Sequence, residues 1–218
     1  MGADRSRFAS EALIGIGCAA VSVRPSRSSW LKLPAALLVA ALCALAVPAL
    51  AAAAEYTVNS TLDGPDKAPG TGGCETATLG ECTLRAAVEE SNFSTGVKDT
   101  IKFTAAFNGQ VADTIALGAS FPFITDPVTI DGDGAAPCLT AAGVSGPCAG
   151  VERTVAGPTL VVENANGVTI EGLAVTGAST GINVINSSEG FIARDDWLGL
   201  KLDGTAATNT TGIFLDPN

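Results

Sequence analysis

Thr159-Leu-Val-Val-Glu-Asn-Ala-Asn-Gly-Val168 aligns without a gap on Ile182-Asn-Val-Ile-Asn-Ser-Ser-Glu-Gly-Phe191, an offset of 23 residues. The offset persists through Ile170/Ala193 and Val175/Leu198. A third copy opens at Ile213-Phe-Leu215, 31 residues after Ile182, so one loop has gained 8 residues. Short β-branched runs punctuated by Gly and Asn at such a period mark a β-solenoid, in which a turn of chain buries its apolar side chains only by stacking on the next. The expected fold class is therefore all-β, with strands of successive coils paired in parallel about 4.8 Å apart. Val161, Val184 and Leu215 are expected to form one inward ladder and Thr159, Ile182 and Ile213 its neighbour. Val168/Phe191 and Val175/Leu198 make two more. Asn164 and Ser187 are expected to share a turn, where Asn tolerates the left-handed conformation.

Upstream, Val128-Thr-Ile-Asp-Gly132 recurs as Val168-Thr-Ile-Glu-Gly172 at an offset of 40, which is 23 plus 17. The extra residues fall where Pro137–Gly150 carries Cys138 and Cys148, so a cysteine-closed loop is expected to bulge from one coil. Asp99–Phe103, Asp113–Leu117 and Phe121–Ile124 are short β runs, and Tyr56-Thr-Val58 is a first strand. Between them lie a turn-rich stretch, 63–73, and one helix over Thr83–Ser91. Leu84, Ala87 and Val88 share a face of that helix, with Arg85, Glu89 and Glu90 on the other. The end of a stack exposes unpaired backbone, and the helix is placed to cap it. At the other end Ile213-Phe-Leu215 opens a coil and the chain stops at Asn218, which reads as a fragment truncated at its C-terminus.

Residues 1–54 stand apart. Arg24, Arg27 and Lys32 precede an apolar run from Leu33 to Leu50, and Ala52-Ala-Ala54 supplies a small-x-small cleavage site before Glu55, the layout of a secretory signal peptide. An uncleaved anchor is the rival, since Leu33–Ala54 is just long enough to span a bilayer, but Pro34 and Pro48 interrupt it. The expected division is thus a signal peptide over 1–54, an N-terminal cap over 55–98 and the repeat domain over 99–218. Export would leave the chain with no membrane attachment. Beyond the leader remain 7 of 12 basic and 20 of 22 acidic residues, a net charge of −13. Such a surface repels nucleic acid and anionic lipid. Four cysteines remain there in two local pairs, Cys74/Cys82 and Cys138/Cys148. An even count in an exported chain reads as disulfides, whereas zinc would want tighter spacings or histidine, and the chain has no His.

The segment Cys82-Thr-Leu-Arg-Ala-Ala87, followed by Val88-Glu-Glu-Ser-Asn92, resembles the CSLREA domain of bacterial exported proteins. Tyr56-Thr-Val58 and Cys74 fit the same pattern, and the match departs at Ala86, where that family often has Glu. The downstream sequence looks like the right-handed parallel β-helices, with a pectate-lyase-like fold, that usually follow this domain. Trp197-Leu-Gly199, Asp203-Gly-Thr-Ala-Ala207 and Gly212-Ile-Phe214 are similar to a repeat of those proteins. The resemblance implies an extracellular or cell-surface location and assigns no reaction.

Arg194-Asp-Asp196 is the sharpest catalytic candidate. Parallel β-helices resembling pectate lyases use carboxylates to hold Ca²⁺ and an Arg to abstract a proton, for which Arg194 or Arg153 would serve. Those resembling polygalacturonases use several Asp residues as acid and base. Adjacent strand residues point to opposite faces, so one of Asp195 and Asp196 at most is expected to face a given groove. The plainer reading of the trio is a solvated charge cluster beside a turn. Asp131-Gly-Asp133 and Asp63…Asp66 are candidate calcium ligands, against the simpler reading as turn formers. Trp197 is either a sugar-stacking platform or a side chain packed beneath the 200–211 loop. On balance the sequence favours a secreted structural, adhesive or ligand-presenting module that contacts extracellular carbohydrate or another surface ligand. A polysaccharide lyase, a glycoside hydrolase, or an N-terminal part of one is the alternative.

Overall fold

The computed structural model describes residues 52–134, 137–186 and 188–216. Except for its last three residues, the expected signal peptide lies outside them, as do Ser187 and the final two residues. The described chain is predominantly β. Its strands are β1 (Glu55–Val58), β2 (Asp99–Phe103), β3 (Thr114–Leu117), β4 (Val128–Asp131), β5 (Cys138–Leu139), β6 (Ser145–Gly146) and β7 (Ala149–Arg153). They continue as β8 (Leu160–Glu163), β9 (Thr169–Glu171), β10 (Leu173–Thr176), β11 (Thr180–Ile185), β12 (Ile192–Arg194), β13 (Trp197–Leu198) and β14 (Thr211–Leu215). One α-helix, α1 (Leu84–Ser91), separates β1 from β2.

Three parallel sheets take up most of these strands, in the orders β1-β2-β4-β9-β12, β13-β10-β7-β3 and β14-β11-β8. From β7 onward the strands enter the second, third and first sheets in turn, whereas β1 and β2 follow one another in the first. The offset of 40 is the observed register between Ile130 and Ile170, and the offset of 23 joins Ile170 to Ala193 and Val175 to Leu198. The first sheet carries the same column further back than the repeat shows, through Ile101 to Tyr56. Its apolar members Ile101, Ile130 and Ile170 are fully buried, each contributing about 1.5–3 kcal/mol of transfer free energy. The run expected at Phe121–Ile124 adds only a bridge from Ile124 to Val162. Pro122, lacking an N–H, cannot extend it.

The third sheet corrects one expected register. Ile182 pairs with Leu160 and Val184 with Val162, an offset of 22, so Thr159 and Val161 are not their partners. Leu160 and Val162 are both fully buried, and a one-residue slip would exchange the faces of the strand. The pairing to β14 is as expected, Ile182 with Ile213 and Val184 with Leu215. The change from 22 to 23 falls in the turn before β12. Asn164 and Asn186 (φ 53° and 55°) are the left-handed pair that opens the two turns, and Gly167 and Gly190 close them one residue out of step. The partner of Asn164 is therefore Asn186 rather than Ser187.

Helix α1 starts at the Thr83 cap, whose Oγ1 accepts the Ala86 N–H at 3.1 Å. Leu84, Ala87 and Val88 are fully buried as their spacing predicts, and the helix lies against β1 and β2. Its other face is covered too. Arg85 forms a bidentate pair with Asp63 (2.8 and 2.9 Å) and donates to Ser120 O. Glu90, 1% exposed, accepts the N–H groups of Gly70, Thr71 and Gly73. The 63–76 loop thus folds over the charged face and is pinned by the Cys74–Cys82 disulfide. Ala86 is fully buried beneath it, so a longer side chain there would need the loop to move.

Candidate functional site

The second disulfide, Cys138–Cys148, closes the β5–β6 hairpin that the extra residues form between β4 and β7. That hairpin walls a cleft of about 450 Å³ lined by Asp133, Pro137, Ser145, Gly146, Asp195, Asp196 and Trp197. Trp197 is half-buried, and its six-membered ring lies so close to Gly146 that a Cβ there would fall 2.4 Å from Cζ2. It therefore packs on the hairpin. Only glycine admits the contact.

Two of the three residues of the Arg194-Asp-Asp196 trio reach the cleft. Asp195 adopts φ 58° between β12 and β13, which breaks strand alternation, and both residues border the cleft. Asp196 sits one circuit from Leu173, whose N–H donates to Asp196 Oδ1 at 2.9 Å. Its other oxygen is buried without a partner among the described residues. Burial, more than the nearby Asp195, Glu171 and Asp133 charges, raises this carboxyl to about 7, against the lowering effect of the Leu173 bond. Near neutral pH Asp196 is thus poised between acid and carboxylate.

Asp133 reaches the same cleft from the loop after β4. It presses on Gly172 (φ 66°), where a Cβ would lie 2.5 Å from the Asp133 Cγ. Burial first, then Asp131, Glu171 and Asp195, raises its pKa. Arg194 is exposed and ion-paired to Glu171 across the register of β12 and β9. Asp131, Glu171 and Arg194 form one outward column in adjacent strands. The offsets of 40 and 23 already implied that column; Glu171 and the hairpin residues were missed because their role is to position others.

The remaining candidates have partners elsewhere. Arg153, 7% exposed, donates to the carbonyls of Ala119 (2.7 Å) and Val155 (3.2 Å) and lies outside the cleft. Asp63 holds Arg85, and Asp66 accepts from Ala68 and Glu75 N–H groups (2.6 and 3.0 Å), the bonding of a turn former. Asp131 accepts the Gly134 N–H in the same way. Among the described residues no group of three or more His, Cys, Asp and Glu is disposed to hold a metal ion, and no helix is long and apolar enough to cross a membrane. Both disulfides are formed, which fits an oxidising compartment. Compared with family models, curated proteins and solved structures, the chain finds no match in any of the three.

Proposed function

We propose that this is an exported, right-handed parallel β-helix protein that acts as a ligand-presenting module, with the acidic cleft as its contact for extracellular carbohydrate. Strands that visit three parallel sheets in a repeating order support the solenoid, and α1 over the first strands serves as its CSLREA-like cap. The observation that carries the ligand reading is the meeting of Asp133, from the loop after β4, with the consecutive Asp195, Asp196 and Trp197 at one cleft beside a disulfide-held wall. An indole edge with flanking hydrogen-bonding carboxyls is the usual equipment for a sugar ring. Carboxylates at this density repel uronate chains, so neutral or amino-substituted glycans fit the field and pectate-like polyanions do not. Titrating the exported protein with neutral, amino and uronate oligosaccharides tests the reading through the emission of Trp197. Saturable quenching by the first two, lost in Asp196→Asn, is expected; quenching by uronates alone, or by none of the three, overturns it.

One observation favours a second reading, glycoside hydrolysis. Asp196 retains a proton near neutrality and Asp195 adjoins it at the same cleft, two carboxyl groups of the kind two-carboxylate hydrolysis needs. New reducing ends released from a neutral glycan, abolished by Asp196→Asn, would establish it. A lyase reading loses support because neither Arg194 nor Arg153 presents a free guanidinium to the cleft.

A further inference from the structure

Asp99 opens β2 and is fully buried. In the register of the first sheet it stands beside Val128, so a carboxylate takes a place its neighbour fills with an apolar side chain. Its Oδ1 accepts the backbone N–H of Ala54 at 2.7 Å. Its Oδ2 is buried with no partner among the described residues, and none of the described ion pairs includes it. The other carboxylates acting on the adjacent Tyr56 are Glu90 and Asp66, so acidic groups, not cations, share the neighbourhood. A buried carboxylate with a single amide donor is among the costlier arrangements in a protein interior.

Ala54 is the first of the described residues to be held by the fold. Ala52 and Ala53 are exposed and outside any regular structure, Ala54 is half-buried, and its carbonyl accepts the Thr100 N–H at 2.9 Å before β1 begins. The small-x-small rule is met here by 49–51, by 51–53 and by 52–54, and a cut after Ala51 would leave the Ala54 N–H an ordinary amide. Asp99 distinguishes them. Cutting after Ala54 removes the one donor the carboxylate has. Cutting after Ala53 turns that donor into an α-ammonium, with a positive charge and further N–H groups for Oδ2.

Building on the export reading, we propose that the leader is removed at the Ala53–Ala54 bond, one residue before the site the sequence favours, and that the freed Ala54 α-ammonium closes a buried ion pair with Asp99. A signal-peptidase-type endopeptidase adds one water across the bond. Ala53 leaves with a carboxylate, and the Ala54 amine takes up a proton. The precursor then carries an unpaired buried carboxylate and the processed chain does not, so the native state tightens only after export.

Two experiments separate this proposal from the reading it rests on. Intact mass and N-terminal sequencing of protein exported by a secreting bacterial host are expected to show Ala54 first. A chain beginning at Glu55 or Ala52 overturns the cleavage site while leaving export intact, and a chain that keeps its leader overturns both. Independently of export, the full chain with a site-specific protease sequence ending at position 53 is compared before and after cutting, as wild type and as Asp99→Asn. Cutting is expected to raise the melting midpoint of the wild type by about 5 °C or more and to leave Asp99→Asn unchanged. Equal shifts in both overturn the ion pair. Should Asp99→Asn fail to fold, acylation of the cut wild type decides. The Ala54 amine is expected to react at least about tenfold more slowly in the folded than in the unfolded chain, as for an amine whose pKa is raised by a unit; equal rates refute the pair.

Discussion

A single torsion decides what the Asp195–Asp196 pair can do. On a regular strand the two side chains would alternate; with Asp195 at φ 58° both residues border one cleft while the Asp196 carboxyl stays buried. Asp196 then titrates in a setting that favours its neutral form. Its folded pKa of about 7 lies above the unfolded value, so between them the folded chain keeps a proton that the unfolded chain has lost. Stability therefore falls as pH rises from about 4 to 7, by an amount on the order of 4 kcal/mol if the whole shift is expressed. Asp196→Asn keeps an acceptor for the Leu173 N–H and removes the titration. Thermal melts are expected to show the variant more stable than wild type at pH 8 and indistinguishable at pH 4; a constant difference across that range would remove burial as the cause. Gly146 is the matching steric case. Gly146→Ala puts a methyl into the Trp197 ring and is expected to shift the indole emission and cost about 1–3 kcal/mol, read by fluorescence and denaturant titration.

At the scale of elements, the hairpin and the turns carry most of what differs between circuits. The Cys138–Cys148 crosslink closes a short loop, and its loss is expected to cost about 2–3 kcal/mol through the unfolded state. The paired variant Cys138→Ser/Cys148→Ser should lower the melting midpoint by roughly 4–12 °C and weaken glycan quenching of Trp197, since β6 carries Gly146. Retained quenching at a lowered midpoint would separate the hairpin's stabilising role from its part in the cleft. Helix α1 shows how an element's surroundings override its pattern. Spacing placed Arg85 and Glu90 in solvent, and the 63–76 loop buries both because Asp63 and three backbone N–H groups satisfy their charges.

For the whole molecule, the net charge of −13 over residues 55–218 works against compaction. Surface ion pairs such as Lys102–Glu55 and Lys201–Glu152 offset it only weakly, because solvent and the same salt screen them. Raising sodium chloride from 0.05 to 0.5 M, roughly a threefold contraction of the Debye length, is expected to raise the melting midpoint by about 1–3 °C. A falling midpoint would show that the ion pairs dominate. The third sheet has β14 at its edge, where Ile213, Phe214 and Leu215 are exposed.

The repeat by itself determined the pairing of β4, β9 and β12, that of β10 with β13, and a cysteine-bearing loop inserted before β7. The even cysteine count gave both disulfides and helical spacing the buried face of α1, because each is a local pattern. Tertiary structure decided the one-residue slip at Asn186, the loop over Arg85 and Glu90, and the partner of Asp99. It also decided the cleft, since Asp133 and Asp196 are 63 positions apart and border one space only through the pairing of β4, β9 and β12 and the left-handed turn at Asp195. Offsets report which residues lie in one column. Which way a side chain leaves a turn depends on the torsions and neighbours that folding supplies.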